Sequence, residues 1–316
     1  MNRITNRGAL RKRIRGFSRK LAEVTVTAFV WISMFLSGPV SPAFGDDLTW
    51  NSDGVSGAPT GGTGTWDTTA LLWDNGGTMQ AWINAFHRAI FGGTAGTVNL
   101  GTGITAGGLV FNSTGYTISG GTLTLAAPAG ATAPGVYVNA FSNATISSLV
   151  AGSTGLNKTG NGTLFLTNNS NSYTGDTAVT GGSLVISNQG QLGLSTGTIA
   201  VTGIAQTGNP GYSGGQLVVN GVSAPVTITR NISVGGRGPG AANASGALVS
   251  IGDNIFNGDM VIGSGASQGR LTATHGVSTI NGDVQFGATG VGDGMLFYGN
   301  GRSEERRVGK ECRSRW

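Results

Sequence analysis

Apolar residues in this chain come in short alternating pairs, not at helical spacing. Leu164 and Leu166, Leu184 and Ile186, and Leu217 and Val219 each lie two apart, so each pair points to one side of an extended segment. A Gly-x-Leu opening recurs at Gly121-Thr122-Leu123, Gly162-Thr163-Leu164, Gly182-Ser183-Leu184, Gly215-Gln216-Leu217, Gly246-Ala247-Leu248 and Gly269-Arg270-Leu271. A second unit, Asn257-Gly258-Asp259-Met260-Val261-Ile262-Gly263, returns as Asn281-Gly282-Asp283-Val284-Gln285-Phe286-Gly287, 24 residues later. Short strands repeating with a period in the twenties predict an all-β chain wound as a β-solenoid. Each coil would pair with the next, and the inward leucines would stack into one core.

Residues 46–95 break this pattern. Trp50, Trp66, Trp73 and Trp82 all lie here, with Phe86 and Phe91. An exposed first coil would present open strand edges, so the section is expected to be an aromatic-rich N-terminal cap. Ala81 to Phe91 fits a helical turn or a strand equally well. Stacking of the tryptophans on sugar rings is the functional alternative to capping.

Composition sharpens the fold class. Between Asp46 and Gly301 there is no Glu and one Lys, so good surface helix formers are nearly absent. Gly is abundant, 58 in the whole chain, but without the three-residue period of collagen. The overall charge of +5 is misleading, because both ends are basic. The body sets Arg88, Lys158, Arg230, Arg237 and Arg270 against ten Asp, which argues against nucleic acid as a partner.

The basic start is Arg3, Arg7, Arg11, Lys12, Arg13, Arg15, Arg19 and Lys20, followed by an apolar run from Val24 to Leu36. Thirteen residues are too few to span a bilayer, which needs about 20. With small residues ahead of Asp46, residues 1–45 read as a signal peptide cleaved between Gly45 and Asp46. The other end, "RSEERRVGKECRSRW" at 302–316, changes composition within one residue and holds the only cysteine, Cys312. It resembles the conceptual translation of a synthetic sequencing adaptor and is expected to be a non-native tail.

Residues 158–186 read "KTGNGTLFLTNNSNSYTGDTAVTGGSLVI". They resemble the autotransporter-associated β-strand repeat, also called the passenger-associated transport repeat. The matching positions are Lys158, Gly160, Gly162, Thr163, Leu164 and Leu166, then Asn171, Tyr173, Gly175, Thr177 and Val179, then Gly182 and Leu184. The resemblance, clearest over 158–186 and extending over 46–190, implies a right-handed parallel β-helix displayed outside a Gram-negative-type cell. The general β pattern carries that β-helical region over 96–301. The resemblance also implies a barrel or sorting anchor beyond the repeats. No barrel-like segment is read before Gly301, so the chain is expected to be a fragment. The lack of Cys from 46 to 301 suits export through an oxidising compartment.

Candidate chemistry is sparse. Gly211-Tyr212-Ser213-Gly214-Gly215 matches a nucleophile elbow, with Asp253 and His275 following, but no helix pattern comes after Ser213. His87 and His275 stand apart, so no zinc site is expected. Asp176, Asp259 and Asp283 each follow Gly at a strand start and are read as turn residues in a ladder, with calcium as the alternative. No catalytic, cofactor-binding or metal residues are assigned. The expectation is a secreted or cell-surface passenger with a structural and adhesive role. Its partners would be surface glycans, matrix or other cells, with membrane contact only through the signal peptide or a C-terminal barrel or anchor. A β-helical enzyme acting on polysaccharide is the alternative, and would need acid and base groups clustered on one face.

Overall fold

The computed structural model describes residues 45–127, 133–202, 214–236, 238–239, 246–263 and 269–286. The signal peptide apart from Gly45, the elbow residues Gly211 to Ser213, and the 302–316 tail lie outside the described residues. Those described form a parallel β-helix, with no α-helix among them and a single 3-10 turn at Gln189–Leu192.

The early coils have three faces. Arg88–Phe91, Gly108–Phe111 and Gly135–Val138 stack in a twelve-strand sheet; Thr97–Leu100, Tyr116–Ser119 and Asn143–Ile146 stack in a ten-strand sheet. Ile104–Ala106, Thr122–Leu125 and Leu149–Ala151 make a third, shorter sheet. Each strand pairs with the equivalent strand one coil away, so alternation carries the same inward position from coil to coil. After Ala151 the third face continues as irregular backbone: Ser172 N–H donates to Val150 O at 2.8 Å and Thr174 N–H to Gly152 O at 2.9 Å. Gly215–Ile228 and Leu248–Phe256 then run long around a corner, with a register shift between Gly221 and Val226.

The Gly-x-Leu repeats explain the ten-strand sheet. Leu164 pairs with Leu184, Leu184 with Leu217, Leu217 with Leu248, and Leu248 with Leu271, giving one leucine column. The spacing varies along it, from 20 residues up to the 33 that separate Ser183 from Gln216, because loops of different length close the coils. Gly121-Thr122-Leu123 departs from the column. Its Leu123 lies in the third sheet, between Ile104 and Val150. The 24-residue unit stacks as read, with Met260, Val261 and Ile262 opposite Val284, Gln285 and Phe286.

Parallel stacking begins inside the aromatic section. Asp47–Trp50 already pairs in parallel with Arg88–Phe91, and Gly64–Trp66 with Thr97–Leu100. Trp73–Asp74 lies antiparallel along the other edge of Asp47–Trp50, and Met79–Gln80 pairs beyond it, so that edge is covered. The four Trp rings pack together at centroid distances of 4.7–5.2 Å and are fully buried. Phe91 stacks on Phe111 at 5.0 Å and carries the aromatic filling into the next coils. With no exposed ring face, these tryptophans do not stack on sugars. Ala81 to Phe91 resolves into a loop ending in the strand Arg88–Phe91.

Candidate functional site

The repeat residues converge on the seam between three coils. Lys158 occupies an inward column of the twelve-strand sheet, between Val136 and Val179, where its neighbours in the stack are Leu109, Val201 and Val234. Its side chain is 0 % exposed. Nζ donates to the carbonyl oxygens of Thr159 at 2.7 Å, Gly160 at 2.9 Å and Gly181 at 3.0 Å, which matches the three protons of its charged form and ties one coil to the next. Burial pulls its pKa down to about 7.

Of the motif glycines Gly160 supplies one of these carbonyls, and the others allow the close backbone turns around them. Gly160 and Gly182 have φ of 71° and 59°, where side chains are disfavoured. A Cβ on Gly182 would lie 2.2 Å from Gly162 O. Gly162 and Gly175 are held by close approach instead, since a Cβ there would fall 2.2 Å from Asn139 O and from Gly155 N respectively.

Asn171 is a second cross-coil tie. Its Oδ1 accepts from Val150 N–H and its Nδ2 donates to Gln191 O, each at 2.8 Å, so one buried amide joins the coil before to the coil after. Tyr173 is fully buried, with its hydroxyl 3.0 Å from Thr177 Oγ1, and burial pushes its pKa up to about 12. Leu164, Leu166, Val179 and Leu184 fill the core, while Thr163 faces outward. At the expected cleavage position, Gly45 N–H donates to Phe86 O and Asp46 N–H to His87 Nδ1, both at 2.9 Å, one residue before the first strand.

Sequence reasoning missed Arg230. It is 5 % exposed, and its Nε donates to Gly197 O at 2.8 Å and its Nη1 to Leu192 O at 3.0 Å, while Nη2 lies 3.8 Å from Asp176 Oδ1. The signal was available, since a lone cation in a nearly uncharged segment is either surface decoration or a buried tie. Asn254 was missed too; its Nδ2 donates to Ser250 Oγ, Val219 O and Ile251 O across the corner.

The three turn aspartates do not form one ladder. Asp259 accepts from Asp283 N–H at 2.9 Å and in turn donates its own N–H to Asn231 Oδ1 at 2.9 Å. Asp176 instead accepts from Ser195 Oγ at 2.7 Å, with Thr198 and Asn231 between it and Asp259 along the stack. Among the described residues no three His, Cys, Asp or Glu gather as a metal would need. Asp253 and His275 do share a shallow pocket of about 370 Å³, but the Asp253 carboxylate accepts from Val277 N–H, which places it as a turn anchor.

Comparison with known proteins agrees with this geometry. The Passenger-associated-transport-repeat family matches residues 156–186, the stretch that carries the lysine cage and the asparagine tie. Over 223 residues the chain is 37 % identical to the adhesin BmaC autotransporter of Brucella suis biovar 1 (strain 1330), a match covering 68 % of this chain and 6 % of that adhesin. No solved structure matches. Residues 156–186 are therefore a passenger-associated transport repeat, set within a parallel β-helix.

Proposed function

We propose that this chain is part of an exported passenger that displays its outer faces to other surfaces and carries out no catalysis. One observation supports this above all: buried polar side chains of the repeat region are bonded between coils, while outward positions carry mostly uncharged polar side chains. Lys158, Asn171, Thr177 and Arg230 all hold coil to coil. A scaffold that uses its buried cations, Lys158 and Arg230, as ties offers many weak polar contacts on its outside rather than an acid/base pair. The likeness to an autotransporter adhesin favours adhesion at the cell surface or in the medium, although the chain corresponds to only 6 % of that relative's length. Residues 1–45 would direct export and be removed by cleavage before Asp46, and residues 302–316 would be foreign to the fold.

The test is direct. Cells producing the chain should be labelled by antibody without permeabilisation, and purified chain should coat matrix or host cells saturably. Incubation with neutral and acidic polysaccharides should release no new reducing ends. Release that disappears in Asp253→Asn would replace this reading with the β-helical enzyme.

A further inference from the structure

The outward face of the twelve-strand sheet has an unusual gap. One outward column runs Asp47, Arg88, Gly108, Gly135 and Asn157. Two successive coils there have no side chain; the Arg88 stem lies over Gly108, where a Cβ would meet its Cγ at 3.5 Å and Gly135 O at 2.9 Å, so the open floor is at Gly135. A Cβ placed on Gly135 would meet only Thr159 Oγ1, at 3.9 Å. The next outward column supplies one wall, with Ile90, Val110 and Tyr137 in succession. Tyr137 is 38 % exposed and edges a groove of about 760 Å³. That size suits a small-molecule site.

The polar groups around this floor constrain the ligand. At one end Arg88 donates through Nε and Nη2 to both carboxylate oxygens of Asp47, so the two charges cancel and the guanidinium is already engaged. At the other end stand Asn157 and Thr159, and Asn112 lines the rim. An anionic ligand would find no free cation here. A peptide strand would find the backbone groups of this face bonded into the ladder. A flat, uncharged ring with an apolar side and polar substituents at its edge suits all parts of the groove. It can lie on the glycine floor against Tyr137, with hydroxyls to the Asp47–Arg88 pair and the amides.

We propose that this groove binds a neutral oligosaccharide lying along the coils. The proposal rests on the display reading above and gives that display a ligand class.

The experiment uses the full chain, titrated calorimetrically with neutral gluco-, manno- and galacto-oligosaccharides and with an oligouronate. At least one neutral sugar should bind. Gly135→Val fills the floor at an extended, non-strained strand position, so it should leave the thermal melt unchanged and weaken binding by about tenfold or more. Tyr137→Ser should weaken binding similarly, while Thr163→Val on another face should not. No binding by any neutral sugar, preference for the uronate, or binding that survives Gly135→Val with the fold intact would each overturn the proposal. Cell coating assayed in parallel separates the two levels. Coating that persists in Gly135→Val without sugar binding removes the groove and keeps display; absence of coating in the unmodified chain removes display itself.

Discussion

Replacing Lys158 by Met keeps the length of the stem in its aliphatic column but removes the ammonium. The three carbonyl oxygens of Thr159, Gly160 and Gly181 would then be buried without this donor. Leaving such acceptors unmet costs about 1–3 kcal/mol. Against that stands the penalty of burying a cation, seen in the drop of the lysine pKa from 10.5 to about 7. The sign follows from proton counting. Between about 7 and 10.5 the unfolded chain carries a proton that the folded chain has released, so stability rises with pH across that window. The slope is at most about 1.4 kcal/mol per pH unit, or about 3 kcal/mol over two units. Below pH 7 both states are protonated and the contribution is flat. Urea unfolding at pH 6, 7 and 9, followed by circular dichroism, should therefore show Lys158→Met clearly less stable than the parent at pH 9. The gap should close or invert at pH 6–7. An equal gap at pH 6 and pH 9 would refute the reasoning, because the cage would then hold a permanently charged ammonium. A gap that widens toward pH 6 would refute it more strongly.

Three further outcomes follow from the same geometry. Leu164→Asp should destabilise by more than about 3 kcal/mol because it places a carboxylate in the leucine column, whereas Thr163→Asp, facing water, should cost about 1 kcal/mol or less; paired urea melts compare them. Asn171→Ala removes two cross-coil hydrogen bonds and should cost about 1–3 kcal/mol, with faster amide exchange at Val150, whose N–H it caps. Gly182→Ala, at φ 59° and 2.2 Å from a carbonyl, should destabilise by about 1 kcal/mol or more, while Gly135→Ala should be neutral in the same thermal scan.

Much of the fold was legible because alternation and register are the same physics at two scales. Gly-x-Leu predicted an inward leucine, and stacking like on like made five of the six occurrences neighbours in one column. The sixth, at Leu123, fell on the third face because a local pattern says that a strand exists but not which side of the coil it occupies. The aromatic section was read as covering the first coil. Its strand Asp47–Trp50 nevertheless already stacks in parallel, since buried Trp can serve as coil filling and as cover at once. Lys158 was legible as a motif position but not as a buried cation, because composition assigns lysine to water by default. Only the convergence of three carbonyls, two of them from glycines, reverses that default. The open floor at Gly135 was invisible for a similar reason: Gly135 stacks on Gly108, 27 residues before it, and the two meet only through the register.

That register is the central claim, and short-range thiol cross-linking tests it most directly. With Cys312→Ser as background, cysteines at Thr163 and Ser183, outward partners in adjacent coils, should be joined by a short bis-thiol reagent in the folded chain. Ala200 and Ser233, partners across a longer coil that includes the strand Gly215–Ile228, should be joined as well. A pair slipped by two, Thr163 with Val185, should react far less. Efficient cross-linking of the slipped pair, or none at either register pair, would contradict the stacked parallel coils on which every other inference here depends.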